Sequence, residues 1–368
     1  MWYIIIFAVL AVFFAGMIYI SFCTAEFPFI LKLTNGKKII SRIVCILFYI
    51  FLTALLTLIF NFINALICMI HLYAFWIICN FGTLVLSKAR KIITKKYYAG
   101  IIALALCFIY LFYGWIAAHH VVQTNYSFSS SKLKTDYRIV QLTDVHIGAT
   151  FDSDSLYKYV DKINALTPDV VVITGDFVDD DTSKENMLGG CDALGKLKTK
   201  YGVYFIWGNH DQGYFSDGTR GWSVYELKNR LEKNNVVLLE DEAKLINDSF
   251  YIVGRCDRSI GARKNANELL MGLDKEKYIV MLDHQPHSFD EEANAGADLV
   301  LCGHTHGGQF IPITHVGEWI GENDLRYGHE KRQNTDFIVS SGISNWAFKF
   351  KTGCISEYVV IDLTGDNT

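Results

Sequence analysis

The sequence predicts an α/β layered domain preceded by an all-α bundle of about four membrane-spanning helices. Three observations carry that expectation. Charge splits the 368-residue chain near residue 120, the first part holds apolar tracts of membrane length, and the second alternates short apolar runs with helical patterns. Of 34 basic and 38 acidic side chains, nine basic residues and one acid, Glu26, lie within the first 120 positions, a balance of +8. The other 25 and 37 leave the second part at −12. A hydrophobic fraction of 51% with four prolines excludes a disordered chain. The acidity of the second part argues against nucleic acid as a partner, because it repels phosphate backbones.

Crossing about 30 Å of hydrocarbon takes roughly 20 helical residues. Residues 2–23 carry no charge over that length, and 97–118 form another such tract. The stretch 43–86 is uncharged for 44 residues, too long for one span. Asn61 and Asn64 suit a turn and are costly in lipid, so a hairpin at 61–64 divides it. The expected spans are about 2–23, 43–60, 65–86 and 97–118. A cleavable signal peptide does not fit the first, which lacks a basic leader and is succeeded by further spans. The loops 32–42 and 88–96 are both basic, which places both in the cytoplasm. Two loops on one side need an even number of crossings between them, and two helices satisfy that. Everything after residue 120 is then extracytoplasmic, in a multi-pass protein of the cell membrane.

Residues 121–135, with serines at 127 and 129–131, read as a polar linker, and the folded domain occupies 136–368. Strands are expected at 138–143 (RIVQLT), 169–174 (DVVVIT), 203–207, 236–239, 250–253, 278–282, 299–302, 337–340 and 357–363. Helices are expected at 156–166, where Leu156, Tyr159, Val160 and Ile163 recur three and four apart, and at 185–200 and 223–234.

The residues just beyond the strands carry the chemistry. Asp144 and His146 come after the first, Gly175-Asp176 after the second, Gly208-Asn209-His210-Asp211 after the third, Asp283-His284 after a later one, and Gly303-His304-Thr305-His306 after the next. Carboxylate, imidazole and amide groups thus recur at the carboxyl ends of strands, where open α/β sheets place their ligand sites. Each block alone is an ordinary cap or turn. Five in succession are not.

These blocks resemble the calcineurin-like metallophosphoesterase family, whose pattern runs Asp-x-His, Gly-Asp-x-x-Asp, Gly-Asn-His-Asp/Glu, an isolated His and Gly-His-x-His. Here they are Asp144/His146, Asp176/Asp179, Asn209/His210/Asp211, His284 and His304/His306, in that order. The GHTHGGQ block and the apolar N-terminus are similar to the membrane-anchored branch of YkuE- and YaeI-type proteins and of transmembrane proteins with a metallophosphoesterase domain. The resemblance implies a four-layer α-β-β-α sandwich with two divalent metal ions. One ion would be held by Asp144, His146, Asp176 and His306, the other by Asp176, Asn209, His284 and His304, with Asp176 bridging. Mixed nitrogen and oxygen donors suit Mn, Fe or Zn better than Mg or Ca.

The same resemblance implies a metal-dependent phosphoesterase in which a metal-bridged hydroxide attacks phosphorus and His210 protonates the leaving group. Asp179 and Asp211 are expected to orient a ligating imidazole or His210. Arg255 and Arg258 are expected phosphate contacts. The substrate expected is a phosphoester, a phosphodiester or a lipid- or envelope-linked phosphate, with the bilayer as the other partner. A nuclease or nucleotide phosphodiesterase and a non-catalytic membrane sensor are the alternatives. In place of the branch's Pro-x-Arg-Phe type element the chain reads Ala347-Phe348-Lys349-Phe350-Lys351. Cys191, Cys256, Cys302 and Cys354 have no CxxC spacing, which disfavours structural zinc and leaves disulfides open.

Overall fold

The computed structural model describes residues 2–90, 97–214, 217–261 and 263–365. It forms two compact units that meet in sequence between Gly114 and Trp115.

In the first unit the helices are α1 (Trp2–Ala25), α2 (Pro28–Leu33), α3 (Lys38–Ile59), α4 (Phe62–Arg90) and the start of α5 (Tyr97–His119). Four of them, α1, α3, α4 and α5, are long and apolar enough to cross a membrane. Helices suit that role because every backbone N–H and C=O is satisfied within the segment. Their shared core contains Ile20, Tyr49, Met69, Trp76 and Ala103. Gly16 lies against the Tyr73 ring and Gly100 against Trp76, where a Cβ would collide, so small residues set the helix spacing. Phe7, Leu58, Phe81 and Phe108 face outward, as lipid-facing side chains would. The turn between α3 and α4 is tighter than the expected 61–64 hairpin. Asn61 alone takes positive φ (136°), and its Oδ1 accepts from the Asn64 backbone N–H at 2.9 Å, capping α4. Residues 91–96 of the basic 88–96 loop lie outside the described residues.

The second unit begins with the last turn of α5. Its chain order is β1 (Val122–Ser130), β2 (Tyr137–Leu142), α6 (Ser153–Ala165), β3 (Val170–Thr174), α7 (Lys184–Leu194), β4 (Val203–Ile206), α8 (Asp217–Arg220), α9 (Val224–Lys233) and β5 (Val236–Leu238). Then come β6 (Glu242–Ile246), β7 (Phe250–Gly254), α10 (Ala266–Leu269), β8 (Tyr278–Leu282), α11 (Phe289–Ala295), β9 (Leu299–Cys302), α12 (Val316–Trp319), β10 (Gly328–Arg332), β11 (Thr335–Val339) and β12 (Glu357–Gly365). The helix expected at 185–200 stops at Leu194, since Gly195 and its neighbours turn the chain.

The strands form two six-stranded sheets, ordered β1-β12-β2-β3-β4-β5 and β10-β11-β9-β8-β7-β6. Within the first, β2 to β5 run parallel, because α6, α7 and α9 cross back over one face. Asp152, Ser183 and Ser223 cap those three helices. In the second sheet β7, β8, β9 and β11 are parallel. Three apolar layers result. Leu156, Val160, Phe177 and Leu227 pack helices on the first sheet, Ile139, Val172, Ile252 and Leu301 fill the space between sheets, and Phe289, Ala293 and Phe337 pack helices on the second. This is the four-layer α-β-β-α sandwich.

The expected linker at 121–135 is corrected by the structure. Most of it is β1, paired in parallel with β12 from Val122 opposite Glu357 to Ser130 opposite Gly365. Val122, Thr124, Tyr126 and Phe128 alternate inward between polar residues, the period-2 pattern of a half-buried edge strand, so the serines decorate a solvent face rather than a flexible tether. Only His120 and Val121 separate the end of α5 from that strand.

Candidate metal centre

The expected ligands gather at the carboxyl ends of five strands from both sheets: β2 for Asp144 and His146, β3 for Asp176, β4 for Asn209 and His210, β8 for His284 and β9 for His304 and His306. The loops are stitched edge to edge. Asp144 N donates to Gly175 O at 3.1 Å, His146 N to Asp176 O at 3.0 Å, and Gly303 N to His284 O at 2.9 Å. Gln141 Nε2 ties the sheets together by donating to Cys302 O at 2.9 Å.

Five of these residues hold left-handed backbone: Asp144 (φ 51°), His146 (37°), Asp176 (53°), His304 (71°) and His306 (48°). Each such non-glycine conformation costs about 1–3 kcal/mol and persists only where the surroundings impose it. The strain turns the side chains to one point. Gly208 and Gly303 make room, because a Cβ on either would collide with the Asp176 or Asp144 carboxylate.

Among the described residues three donor trios result, each with ligand atoms within 4.8 Å of one another: Asp144/His146/His306, Asp176/His284/His304 and, beside them, His146/Asp179/His210. Each of the first two trios is drawn from one of the two ligand sets implied by the resemblance. Asp176 reaches toward both: its Oδ2 lies 3.0 Å from His284 Nε2 and 3.6 Å from His146 Nε2. His284 Nδ1 donates to Thr174 O at 2.7 Å, which leaves Nε2 as the donor atom, and Asn209 Oδ1 lies 3.2 Å from that Nε2. Asn209 Nδ2 is turned away to Tyr214 Oη at 2.7 Å.

The residues fit divalent cations. His146 is fully buried and its Nε2 has no hydrogen-bond partner, yet it sits 3.6 and 4.0 Å from carboxylates of Asp176 and Asp144. A buried imidazole nitrogen without a partner is costly unless a ligand takes its lone pair. Burial pushes the His304 pKa down to about 4 and His306 well below its usual range, so both present neutral donor nitrogens. Burial pushes the Asp144 carboxyl up, whereas for Asp176 burial is outweighed by His284, which holds it well below the usual carboxylate range.

Beside the first two trios stands His210, largely buried, its ring 5.0 Å from that of His146. Asp179 joins the two imidazoles, Oδ1 at 3.2 Å from His210 Nδ1 and Oδ2 at 3.3 Å from His146 Nδ1. A carboxylate only accepts, so the His210 proton is placed on Nδ1 and Nε2 is left to exchange protons. Burial opposes the charged form of His210, but Asp179 and Asp176 outweigh it and the pKa is raised.

Two expected roles are corrected. Asp211 touches no imidazole. Its carboxylate accepts four backbone N–H groups, from Asp176 (2.9 Å), Phe177 (2.7 Å), Val178 (3.0 Å) and Gly208 (2.8 Å), and so clamps the two ligand loops. Arg255 is not a phosphate contact either. It is buried, with Nη1 on Asp283 (3.2 Å) and Glu292 (3.1 Å) and Nη2 on the partly exposed Glu291 (2.7 Å), because the two buried carboxylates of Asp283 and Glu292 demand a cation. It thereby anchors the residue before His284. Arg258 lies exposed in a short 3₁₀ turn.

Two residues absent from the sequence-based site flank His210, Tyr214 at 5.1 Å and Trp346 at 5.3 Å between ring centroids. Lys351 is another: wholly buried, it donates from Nζ to Ser341 O (2.7 Å) and Ser344 O (3.2 Å), fixing the loop that closes over Asp144. Tyr214 and Trp346 had no local signal, since no motif block contains them, and Lys351 lay in a segment read only as a departure from the family pattern. Cys191, Cys256, Cys302 and Cys354 are free thiols.

Residues 137–308 match the profile of the family described as calcineurin-like phosphoesterase. The chain carries a calcineurin-like metallophosphoesterase domain. Among relatives, a transmembrane protein with metallophosphoesterase domain from Danio rerio is 34% identical over 190 residues, 48% of this chain and 42% of that protein. An uncharacterised metallophosphoesterase of Campylobacter jejuni is 29% identical over 238 residues, 63% of this chain and 60% of that protein. The YkoQ metallophosphoesterase of Bacillus subtilis is 28% identical over 231 residues, 60% of this chain and 80% of that protein. The chain thus spans about half the length of the first two relatives taken together. All five strand-end blocks of the metallophosphoesterase domain fall within the matched residues.

Proposed function

We propose that this chain is a membrane-anchored phosphohydrolase that cleaves a phosphoester, with a lipid- or envelope-linked phosphodiester as its substrate class and an extracytoplasmic catalytic domain. The observation that carries the reading is the pair of donor trios meeting at Asp176 with an Asp179-held His210 beside them. Two divalent cations, Mn, Fe or Zn by donor type, would activate water and polarise the phosphoryl oxygens.

The rest of the chemistry belongs to the chain. Asp144, His146 and His306 would hold one cation and Asp176, Asn209, His284 and His304 the other. As the water oxygen bonds to phosphorus and releases one proton to solvent, the bond to the leaving oxygen breaks, and His210 gives its Nε2 proton to the departing alkoxide. Asp179 steadies the imidazolium before that transfer. Tyr214 and Trp346 stand against the His210 ring on the approach to it. The net charge of −12 after residue 120 disfavours long polyanions, which supports a small or lipid-linked ester over a nuclease substrate.

The test uses the full chain in detergent with bis-p-nitrophenyl phosphate. Turnover should appear with Mn and vanish with EDTA. His210→Ala should keep both metals and lose about 10²–10⁴-fold in kcat, the range for a positioned general acid. Asp179→Asn should lose less and move the alkaline limb of the pH–rate profile to lower pH, because His210 must be protonated to act and Asp179 helps hold its pKa up. A wild type without metal-dependent turnover sinks the enzyme reading, and a full-rate His210→Ala sinks the proton-donor role.

Sidedness has its own check. A cysteine replacing Asp274, in an exposed turn, should react with a membrane-impermeant maleimide on intact cells. Protection until the cells are opened would put the domain in the cytoplasm.

A further inference from the structure

Between the metal loop and β10 runs a segment that the phosphohydrolase reading does not use. Ile311 (53% exposed), Ile313 (57%), Trp319 (74%) and Ile320 (67%) all face solvent, unusual for a chain segment that starts a few residues after the ligand His306. It is firmly rooted. Gln309 Nε2 donates to Phe350 O at 2.7 Å, Thr352 N to Gln309 O at 2.9 Å, and Ile311 N to Thr352 Oγ1 at 3.1 Å. Its acid, Glu318, is engaged by His315 and by the Arg326 N–H, so the outward face is apolar without a free carboxylate.

From this segment a row of rings leads to the proton donor. Phe310 lies 5.5 Å from Phe348, Phe348 lies 5.7 Å from Trp346, and Trp346 lies 5.3 Å from His210. The stretch 346–356 that supplies Trp346 and Phe348 also holds the end of the last membrane-length helix. Ser356 N donates to Ala117 O at 2.9 Å, Ser356 Oγ donates to Ala118 O at 3.0 Å, and Lys349 is within electrostatic reach of His119. One stretch of chain therefore joins the membrane exit, the apolar segment and the metal centre.

We propose that residues 310–320 are a membrane-docking loop that seats on a phospholipid bilayer surface, and that the Phe310–Phe348–Trp346 row guides the apolar part of an amphiphilic phosphoester to His210. The bilayer is the occupant the features select. The exposed side chains are the Trp and Ile that favour the water–hydrocarbon interface, Lys349 suits anionic headgroups, and the exit of a membrane span is fixed to the same stretch. Docking stands by itself, whereas the guiding role rests on the phosphohydrolase reading.

The experiment uses the full chain in nanodiscs of zwitterionic and anionic phospholipid. A nitroxide is placed at Ile320→Cys, with the unsubstituted chain labelled in parallel for background from native cysteines and Asp274→Cys as an exposed reference. The label at 320 should relax faster with oxygen than with a water-soluble nickel chelate, and the reference the reverse. Equal nickel access at both positions overturns docking. So does screening of position 320 from both reagents, as contact with a protein partner would cause. In a second arm, Ile313→Asp/Trp319→Asp should turn over bis-p-nitrophenyl phosphate within about twofold of the wild type and lose at least about tenfold on a phosphodiester presented in the bilayer. Equal loss on both substrates overturns the guiding role, and absence of turnover in the wild type overturns the phosphohydrolase reading while the spin-label result still decides docking.

Discussion

Asp176→Asn is expected to release both metals and to lower turnover by at least about 10³-fold, the scale on which loss of a metal-centred transition-state interaction reads out. The Asp176 carboxylate reaches imidazoles of both trios, 3.0 Å from His284 Nε2 on one side and 3.6 Å from His146 Nε2 on the other. Its other oxygen accepts the His210 backbone N–H at 2.8 Å, so that oxygen cannot turn away. An amide in its place removes the negative charge from the midpoint. It also puts an NH₂ where a lone pair is needed, either against His210 N–H or against His284 Nε2. Metal content per chain after gel filtration and kcat on bis-p-nitrophenyl phosphate measure the two effects together. Two metals and near wild-type rate in the variant would show that the Asp176 carboxylate is not needed to hold either cation.

Asp211→Ala should instead cost stability, about 3–5 kcal/mol, because four buried N–H donors lose one shared acceptor and each unsatisfied group costs about 1–3 kcal/mol before water relieves some of them. Unfolding of the full chain in detergent with EDTA isolates this effect from metal linkage. Asp211→Asn, which keeps one acceptor oxygen, should fall between. An Asp211→Ala chain that melts with the wild type yet turns over slowly would return Asp211 to the orienting role first expected for it.

The contrast between Asp179 and Asp211 marks where the sequence stops being informative. Both come after a strand, both belong to a motif block, and both are written with the same letter. Their spacing places them near the ligands and says nothing about which way a carboxylate turns. In the fold, Asp179 lies between two imidazoles, while Asp211 sits under a turn whose backbone N–H groups converge on it. Arg255 differs from its expected role for the same reason. An arginine in a loop near a phosphate site is an ordinary phosphate contact until three carboxylates, two of them buried and contributed by α11 and the loop after β8, claim it.

The inner strands β3, β4, β8 and β9 were legible because each is a run of buried residues, nearly all apolar, bounded by glycine or aspartate, whereas the largely exposed edge strands β6 and β10 carry no such run and were not expected. The edge strand β1 was not, since its inward residues alternate with Gln, Asn and Ser and its burial depends on β12, more than 230 residues away. The membrane helices were legible for a simple reason: lipid asks only for length and apolarity, both of which are local. The aromatic residues Tyr214 and Trp346 had no local signature at all.

By itself the sequence determined the charge divide near residue 120, four apolar segments of membrane length, and seven donors in five strand-end blocks. Those are properties of short stretches, set by composition and period. Only the tertiary structure decided which donors share a trio, that Asp179 rather than Asp211 holds the imidazoles, and that the stretch 346–356 connects the end of the last helix to the metal loop. Such relations join residues tens to hundreds of positions apart, and they exist only once sheet pairing has brought the strand ends to one edge.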